Sequence, residues 1–438
     1  MIAARRMPSP LDRVADALTL LMALVVFGVS AMALTALGVA YDQAGGSALQ
    51  KFHPATYIAC LALAVRFVAR SDPFGWLTRQ AEHFPGVTYF VATWIVMVAF
   101  GSFVQHEPIS PIIDTFLCTV AFLVLYADAD ERMRATMRLA LHAFMFVNAC
   151  LGVMEHVGQF RLTPYVTGGN VILHDFRSTA LLGHPLINAS TTAAYALILI
   201  YGGDRAVKWP LRLFLIGLQT VAMVAFGGRT AIVLFAVLGG ARLLRPGLEL
   251  LGGRRFDMRA ALAFALSAPI LIGAVVVAVQ SGALDGLLER FVDDKGSAEA
   301  RVLIFNLFDY FSWDELLFGP DQVRLATIEN TLGIQYGIEN SWFGFLFGYG
   351  LFMTLFFMAA FAALLWDIWR RALPGAWSLF FYILVLLSSA AGIAVKTNLF
   401  NQFVVLLLVF FYDWGDESGA PARVRAGYAG YRNAPERA

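Results

Sequence analysis

Apolar residues run through this chain in stretches of about 17 to 25, the length needed to cross roughly 30 Å of hydrocarbon. Short connections between the stretches carry most of the charge. The apolar stretches are centred on Leu24, Cys60, Ile95, Val120, Phe146, Tyr195, Leu218, Phe235, Ile270, Phe356, Leu384 and Leu407. The pattern predicts an all-α fold, a polytopic transmembrane helical bundle of about 12 spans over residues 1–415. Residues 416–438, rich in Gly, Ala, Pro and Arg, read as a disordered tail.

Orientation follows from lysine and arginine, which are enriched in cytoplasmic connections. Alternate connections collect Arg66, Arg70 and Arg79; Arg132, Arg134 and Arg138; Arg205, Lys208 and Arg212; Arg242, Arg245, Arg254, Arg255 and Arg259; and Arg370 and Arg371. Arg5, Arg6 and Arg13 at the start, and Arg423, Arg425, Arg432 and Arg437 at the end, continue the alternation. Both termini are therefore expected in the cytoplasm. The first apolar run is too long for a signal-peptide core and lacks a convincing small-residue cleavage site, so it reads as an uncleaved first helix.

Composition sharpens the picture. Hydrophobic residues make up 59% of the 438 and charged residues 14%, whereas soluble chains carry about 25% charged residues. The 37 phenylalanines fall in runs such as Phe343 to Phe361 that need lipid or neighbouring helices to cover them. A net charge of +1 says nothing about an anionic partner. Cys60, Cys118 and Cys150 all lie in apolar segments and have no metal-ligand spacing, so they read as small buried hydrophobes.

Two outer connections are long, residues 158–183 and 281–340, and function is expected there. The second carries Leu287 to Phe291 and Ala298 to Phe311 with helical periodicity, which predicts short helices packed on the membrane face. Three arginines on this side, Arg177, Arg229 and Arg301, are the leading candidates, because arginine at membrane depth faces a cavity or a partner. Arg177 reads either as an anion contact or as an interfacial side chain reaching water. Arg229 sits in Gly227-Gly228-Arg229-Thr230, nearly the whole connection between two apolar runs. The glycines permit a tight turn, and amides opening the next helix add partial positive charge; the alternative is a hydrated hairpin tip. Arg301 follows Asp293, Asp294 and Glu299, so a loop ion pair competes with a functional role, and Arg290 competes for the same assignment.

Glu339 stands at the mouth of the tenth span, where partial burial would make it a plausible general base; a carboxylate stabilising a helix N-terminus is the alternative. His184, before Pro185, can orient a ligand or cap a helix.

Three stretches, in order, resemble the O-antigen ligase and polymerase superfamily of bacterial inner-membrane glycan enzymes. They are Arg177-Ser-Thr-Ala-Leu-Leu-Gly-His-Pro-Leu-Ile-Asn, Phe226-Gly-Gly-Arg229-Thr-Ala, and Glu339-Asn-Ser-Trp followed by Gly350-Leu-Phe. With the topology they cover most of the chain from Leu151 to Tyr412. The resemblance implies a multi-pass protein of the bacterial inner membrane. It implies action on oligosaccharides linked through diphosphate to a polyprenyl carrier, at the outer leaflet, with no cofactor and no metal. It adds Asn340 to the substrate-contacting candidates and admits membrane lipid and a chain-length regulator as partners. At the last stretch the histidine typical of ligases is Glu339 here, which points toward the polymerase branch, similar to exopolysaccharide polymerases.

The chemistry so implied fits the residues. Cleaving the sugar–diphosphate bond develops charge on the diphosphate, and arginine's planar donors suit phosphate oxygens. A base must take the acceptor's proton, for which Glu339 leads and His184 is the reserve. Tyr165, Trp313, Tyr336 and Trp342 can stack on sugars, though an aromatic belt explains them equally. A flippase or exporter of the same lipid-linked sugars is the main rival, but the halves show no similarity and no matched broken helices. A purely structural membrane subunit leaves the arginines unaccounted for.

Overall fold

The computed structural model describes residues 9–414 apart from 44, 107, 168–169, 173–175, 205, 252–296, 335–336 and 391. In chain order the described helices are α1 (Pro10–Gly28), α2 (Ala31–Ala36), α3 (Pro54–Ala69), α4 (Pro73–His83), α5 (Pro85–Phe103), α6 (Ser110–Ala127), α7 (Glu131–Gly158), α8 (Pro185–Ile200), α9 (Trp209–Phe226) and α10 (Arg229–Leu251). Then come α11 (Ser297–Asn306), α12 (Trp313–Phe318), α13 (Gln322–Leu332), α14 (Ser341–Trp369), α15 (Trp377–Ser389) and α16 (Leu399–Phe410). Short 3-10 turns and one two-residue antiparallel ladder, Val166–Thr167 with Asn170–Val171, complete the described structure. The fold is all-helical.

Every predicted span centre except Ile270 falls inside one of these helices, and Ile270, like Arg290, lies outside the described residues. Among the described residues, five helices are long and apolar enough to cross a membrane: α5, α6, α7, α9 and α14. Helices α3, α8 and α16 and the stretch Pro374–Ser389 are apolar but shorter. Asp12, Arg13 and Asp16 break the apolar character of α1. Five of the twelve apolar runs thus correspond, among the described residues, to helices of full membrane-crossing length.

Prolines at the starts of α1, α3, α4, α5, α6, α8 and α9 fix the first helical turns, where a missing N–H costs nothing. Helices α8 and α16 stand in the middle of the bundle: α16 buries all 12 of its residues and α8 all but a few. Apolar character on every side is what a fully surrounded helix requires. Beside them the phenylalanines interlock, with Phe116 edge-on to Phe90 and Phe400 and Phe357 stacked on Phe345 and Phe361.

Contacts sort the helix ends onto two opposite faces. On one, the basic face, Arg66 pairs with Asp12 and Asp16, Arg70 with Asp128, and Arg134 lies over Trp414. Leu373 N–H donates to Phe411 O there, and Arg370 reaches His83 O. The opposite face gathers the connections 29–53, 159–184, 227–228 and 390–398, through contacts such as His53 with Val29 and Asn398, and Lys396 with Tyr41.

Helix α14 breaks at Gly350, whose φ of 78° and ψ of 165° interrupt the helix. A Cβ there would lie 2.3 Å from the nitrogen of Gly319, just past α12, so only glycine admits this approach. Gln322 donates to the Phe347 and Gly348 carbonyls at 3.1 and 3.2 Å, satisfying groups that the break releases. Helices α11 to α13 thereby seat on the half of α14 that precedes Gly350, around Leu307, Leu316, Leu325 and Phe347. Short helices were expected in this loop; its portion before Ser297 lies outside the described residues.

Candidate functional site

The last turns of α7 present Asn148, Gly152 and Glu155 along one helical face. All three grip the loop 176–184. Leu181 N–H donates to Asn148 Oδ1 at 3.0 Å and Ser178 Oγ–H to Gly152 O at 2.7 Å. The Glu155 carboxylate, fully buried, accepts from the N–H groups of Thr179 (2.7 Å), Ala180 (2.9 Å) and Leu162 (2.7 Å). Asn188 on α8 ties down the other side by donating to the carbonyls of Thr179 and His184. A carboxylate held by several backbone donors is strongly stabilised, and the loop takes its shape from it.

The same loop meets the second motif. Ser178 N–H donates to Ala225 O at 3.2 Å, setting Arg177 beside the end of α9 and the turn that leads to Arg229. Gly227 takes the left-handed conformation that closes α9, with φ of 68°. Gly228 packs so closely on α8 that a Cβ would sit 2.4 Å from Ala189 Cβ, and Gly152 lets Phe226 lie against α7. Arg229 then opens α10. Three helices thus converge to hold one arginine in the loop and one at the turn.

Arg177 lies over the Tyr165 ring, 5.4 Å from its centroid, and His184 meets the same ring edge-on at 5.5 Å. Arg161, which sequence reasoning passed over, donates to Arg177 O at 2.9 Å and also to Ile172 O, and lies over Phe176. Tyr165 is therefore a buried organiser of the cations rather than an open platform. His184 Nδ1 accepts from Leu186 N–H at 3.1 Å, capping α8. In the neutral ring the proton must then be on Nε2. Burial, with Arg177 adding, pushes the His184 pKa down to about 4. At neutral pH it can offer a donor to a ligand but is ill suited to accept a proton at Nδ1.

Glu339 and Asn340 reach the same face from the other side of the bundle. Asn340 Oδ1 caps α14 by accepting from the N–H groups of Trp342 (2.9 Å) and Phe343 (3.2 Å), while its Nδ2 donates to Ser388 O at 2.8 Å. The amide expected to contact substrate is engaged in architecture. Trp342 Nε1–H bonds Ser388 Oγ and Trp313 is exposed, while Tyr336 is not among the described residues. Arg301 falls within α11, its side chain outside the described set. The structure thus unites Arg177, His184 and the Arg229 turn, and brings Glu339 and Asn340 to the same face.

Glu155, Asn148 and Lys396 were legible as polar residues within or between apolar runs, but assigning them required helix phase and partner. No protein-family model, no curated protein and no solved structure matches this chain.

Proposed function

We propose that this protein polymerises polyprenyl-diphosphate-linked oligosaccharide repeat units into surface polysaccharide. The reaction takes place at the periplasmic face of a bacterial inner membrane that the chain crosses about twelve times, with both termini in the cytoplasm. The observation that carries the reading is the Ser178–Ala225 hydrogen bond, which sets Arg177 beside the Arg229 turn on the face opposite the basic one. Two guanidinium groups there match a departing diphosphate, whose charge grows as the glycosidic bond breaks.

In this reading the acceptor hydroxyl of a second lipid-linked unit attacks the anomeric carbon of the donor sugar. The bond to the diphosphate oxygen breaks, and Glu339 takes the hydroxyl proton. Arg177 and Arg229 bind the leaving diphosphate, with Arg301 and Arg290 as further candidates from the long outer segment. His184 Nε2–H steadies a substrate oxygen.

The test is mass spectrometry of lipid-linked saccharides from a strain lacking the gene, with an impermeant glycosidase reporting their side of the membrane. Single repeat units accumulating outside, with no polymer, are expected. Units trapped on the cytoplasmic side would make the protein a flippase, and polymer left unattached to its final acceptor would make it a ligase.

A further inference from the structure

Helix α4 lies at the basic face and leads directly into α5, which begins at Pro85 and is one of the membrane-length helices. The 19 residues of α5 extend about 28 Å at 1.5 Å per residue, nearly the whole of the roughly 30 Å of hydrocarbon, so α4 sits at the membrane boundary.

One side of α4 is used by the bundle. Trp76 Nε1–H and Gln80 Nε2–H both donate to the Asp128 carboxylate, at 2.7 and 3.2 Å, and Arg70 pairs with the same group at 2.6 Å. Residues four apart share a helical face, so these bonds fix how α4 is rolled about its axis. The remaining residues then fall on two edges. Phe74, Leu77 and Ala81, at i, i+3 and i+7, form an apolar edge on which Phe74 is 75% and Leu77 45% exposed. Arg79 and Glu82 lie roughly 140° further round the helix at 3.6 residues per turn. There Arg79 pairs with the N-cap Asp72 at 3.9 Å, both side chains largely exposed.

The apolar edge continues onto α3. Phe74 meets Phe67 edge-on, with 5.6 Å between ring centroids. Phe67 adjoins Val68, the last member of an exposed stripe formed by Tyr57, Leu61, Ala64 and Val68. That stripe has the i, i+4, i+7, i+11 spacing of one helix side, on a helix that is apolar throughout its middle. A patch for a protein partner is rimmed by polar residues, whereas this one runs into the lipid-facing side of α3. The charges of α4 are Arg79 against Asp72 and Glu82, so apolar side chains rather than anionic headgroups would hold it in a leaflet.

We propose that α4 is an interfacial helix that buries Phe74 and Leu77 in the leaflet at the basic face and seats the Asp128 cluster at headgroup level. The inference is independent of the reaction proposed above and needs only that α5 crosses the membrane. The test uses the full-length protein in nanodiscs of phosphatidylcholine alone, doped with a phosphatidylcholine that carries a diazirine on the upper part of its acyl chain. After illumination, peptide mapping should find adducts on Phe74 and Leu77 at a yield comparable with that on Tyr89, an exposed residue in the second turn of α5, and none on Arg79 or Glu82. Adducts on Tyr89 without any on Phe74 and Leu77 overturn the proposal, whether water or a second protein covers that edge. Absence of adducts from Tyr89 as well removes the membrane crossing of α5 and the proposal with it. Spin labels give a second reading, in a protein with Cys60, Cys118 and Cys150 replaced by alanine. Nitroxides on Phe74→Cys and Leu77→Cys should be relaxed more by oxygen than by a water-soluble nickel chelate, and those on Arg79→Cys and Glu82→Cys the reverse; the same order at all four positions overturns the proposal.

Discussion

Arg229 is held by a turn that allows no slack, because Gly227 adopts a left-handed backbone and Gly228 touches Ala189. Arg229→Ala and Arg177→Ala should each abolish polymer while leaving membrane abundance intact, as judged by immunoblot beside polysaccharide analysis. Normal polymer from both would dismiss the site. Arg229→Lys should lower polymer yield by about tenfold to a hundredfold, the value of a lost charged hydrogen bond, since an ammonium cannot reproduce the two-pronged contact. Glu155→Gln tests the support beneath Arg177. The amide keeps the volume but turns one acceptor into a donor facing a backbone N–H, at a cost of about 1–3 kcal/mol. A lower unfolding temperature and faster amide exchange across 176–184 are expected; unchanged exchange would mean that the loop is shaped elsewhere. Arg229 could be read from the sequence because two glycines and an arginine between apolar runs have few other uses. Lys396 gives the same kind of signal, a cation in a short connection, yet its meaning depends on Tyr41 and Asn398, which are distant in sequence or ambiguous alone. Asn148 and Glu155 look like interruptions of an apolar run until the turn of the helix aligns them.

At the scale of elements, the apolar runs locate the helices well because burial and helical propensity agree there. The break in α14 was hidden: Gly344, Gly348 and Gly350 stand close together, and nothing local says which takes a positive φ. The answer comes from Gly319, brought in from another element. Gly350→Ala should destabilise the protein by at least about 2 kcal/mol, combining backbone strain with overpacking. Gln322→Leu should cost about 1–3 kcal/mol through the Phe347 and Gly348 carbonyls it leaves unmet. Thermal unfolding in detergent checks both, and a Gly350→Ala protein as stable as wild type would remove the break from the account. Length matters as well. Helix α16, with 12 residues, extends about 18 Å at 1.5 Å per residue, short of the roughly 30 Å of hydrocarbon. If α16 crosses the bilayer, one of its two connections must dip below the membrane surface, which irregular backbone tolerates only inside protein or along a cavity.

For the whole molecule, the two-faced sorting of connections makes a direct prediction. In a protein with Cys60, Cys118 and Cys150 replaced by alanine, a cysteine at Ser47 should react with an impermeant maleimide on spheroplasts, and one at Arg79 only after lysis. The reverse pattern would invert the orientation. The sequence supplied the alternation of charge that underlies this, but not which helices stand at the centre, since α16 is only slightly more apolar than α14 and α15, and α8 is less apolar than either of those two. That central place has a consequence for biogenesis. Helix α16 leaves the ribosome after every other described helix, yet all 12 of its residues end among them. Until it arrives, the earlier helices enclose a groove lined by Val26, Thr119 and Thr191, whose later partners Gln402 and Asn401 are still missing. The native centre of the bundle can therefore close only after translation has passed Phe410.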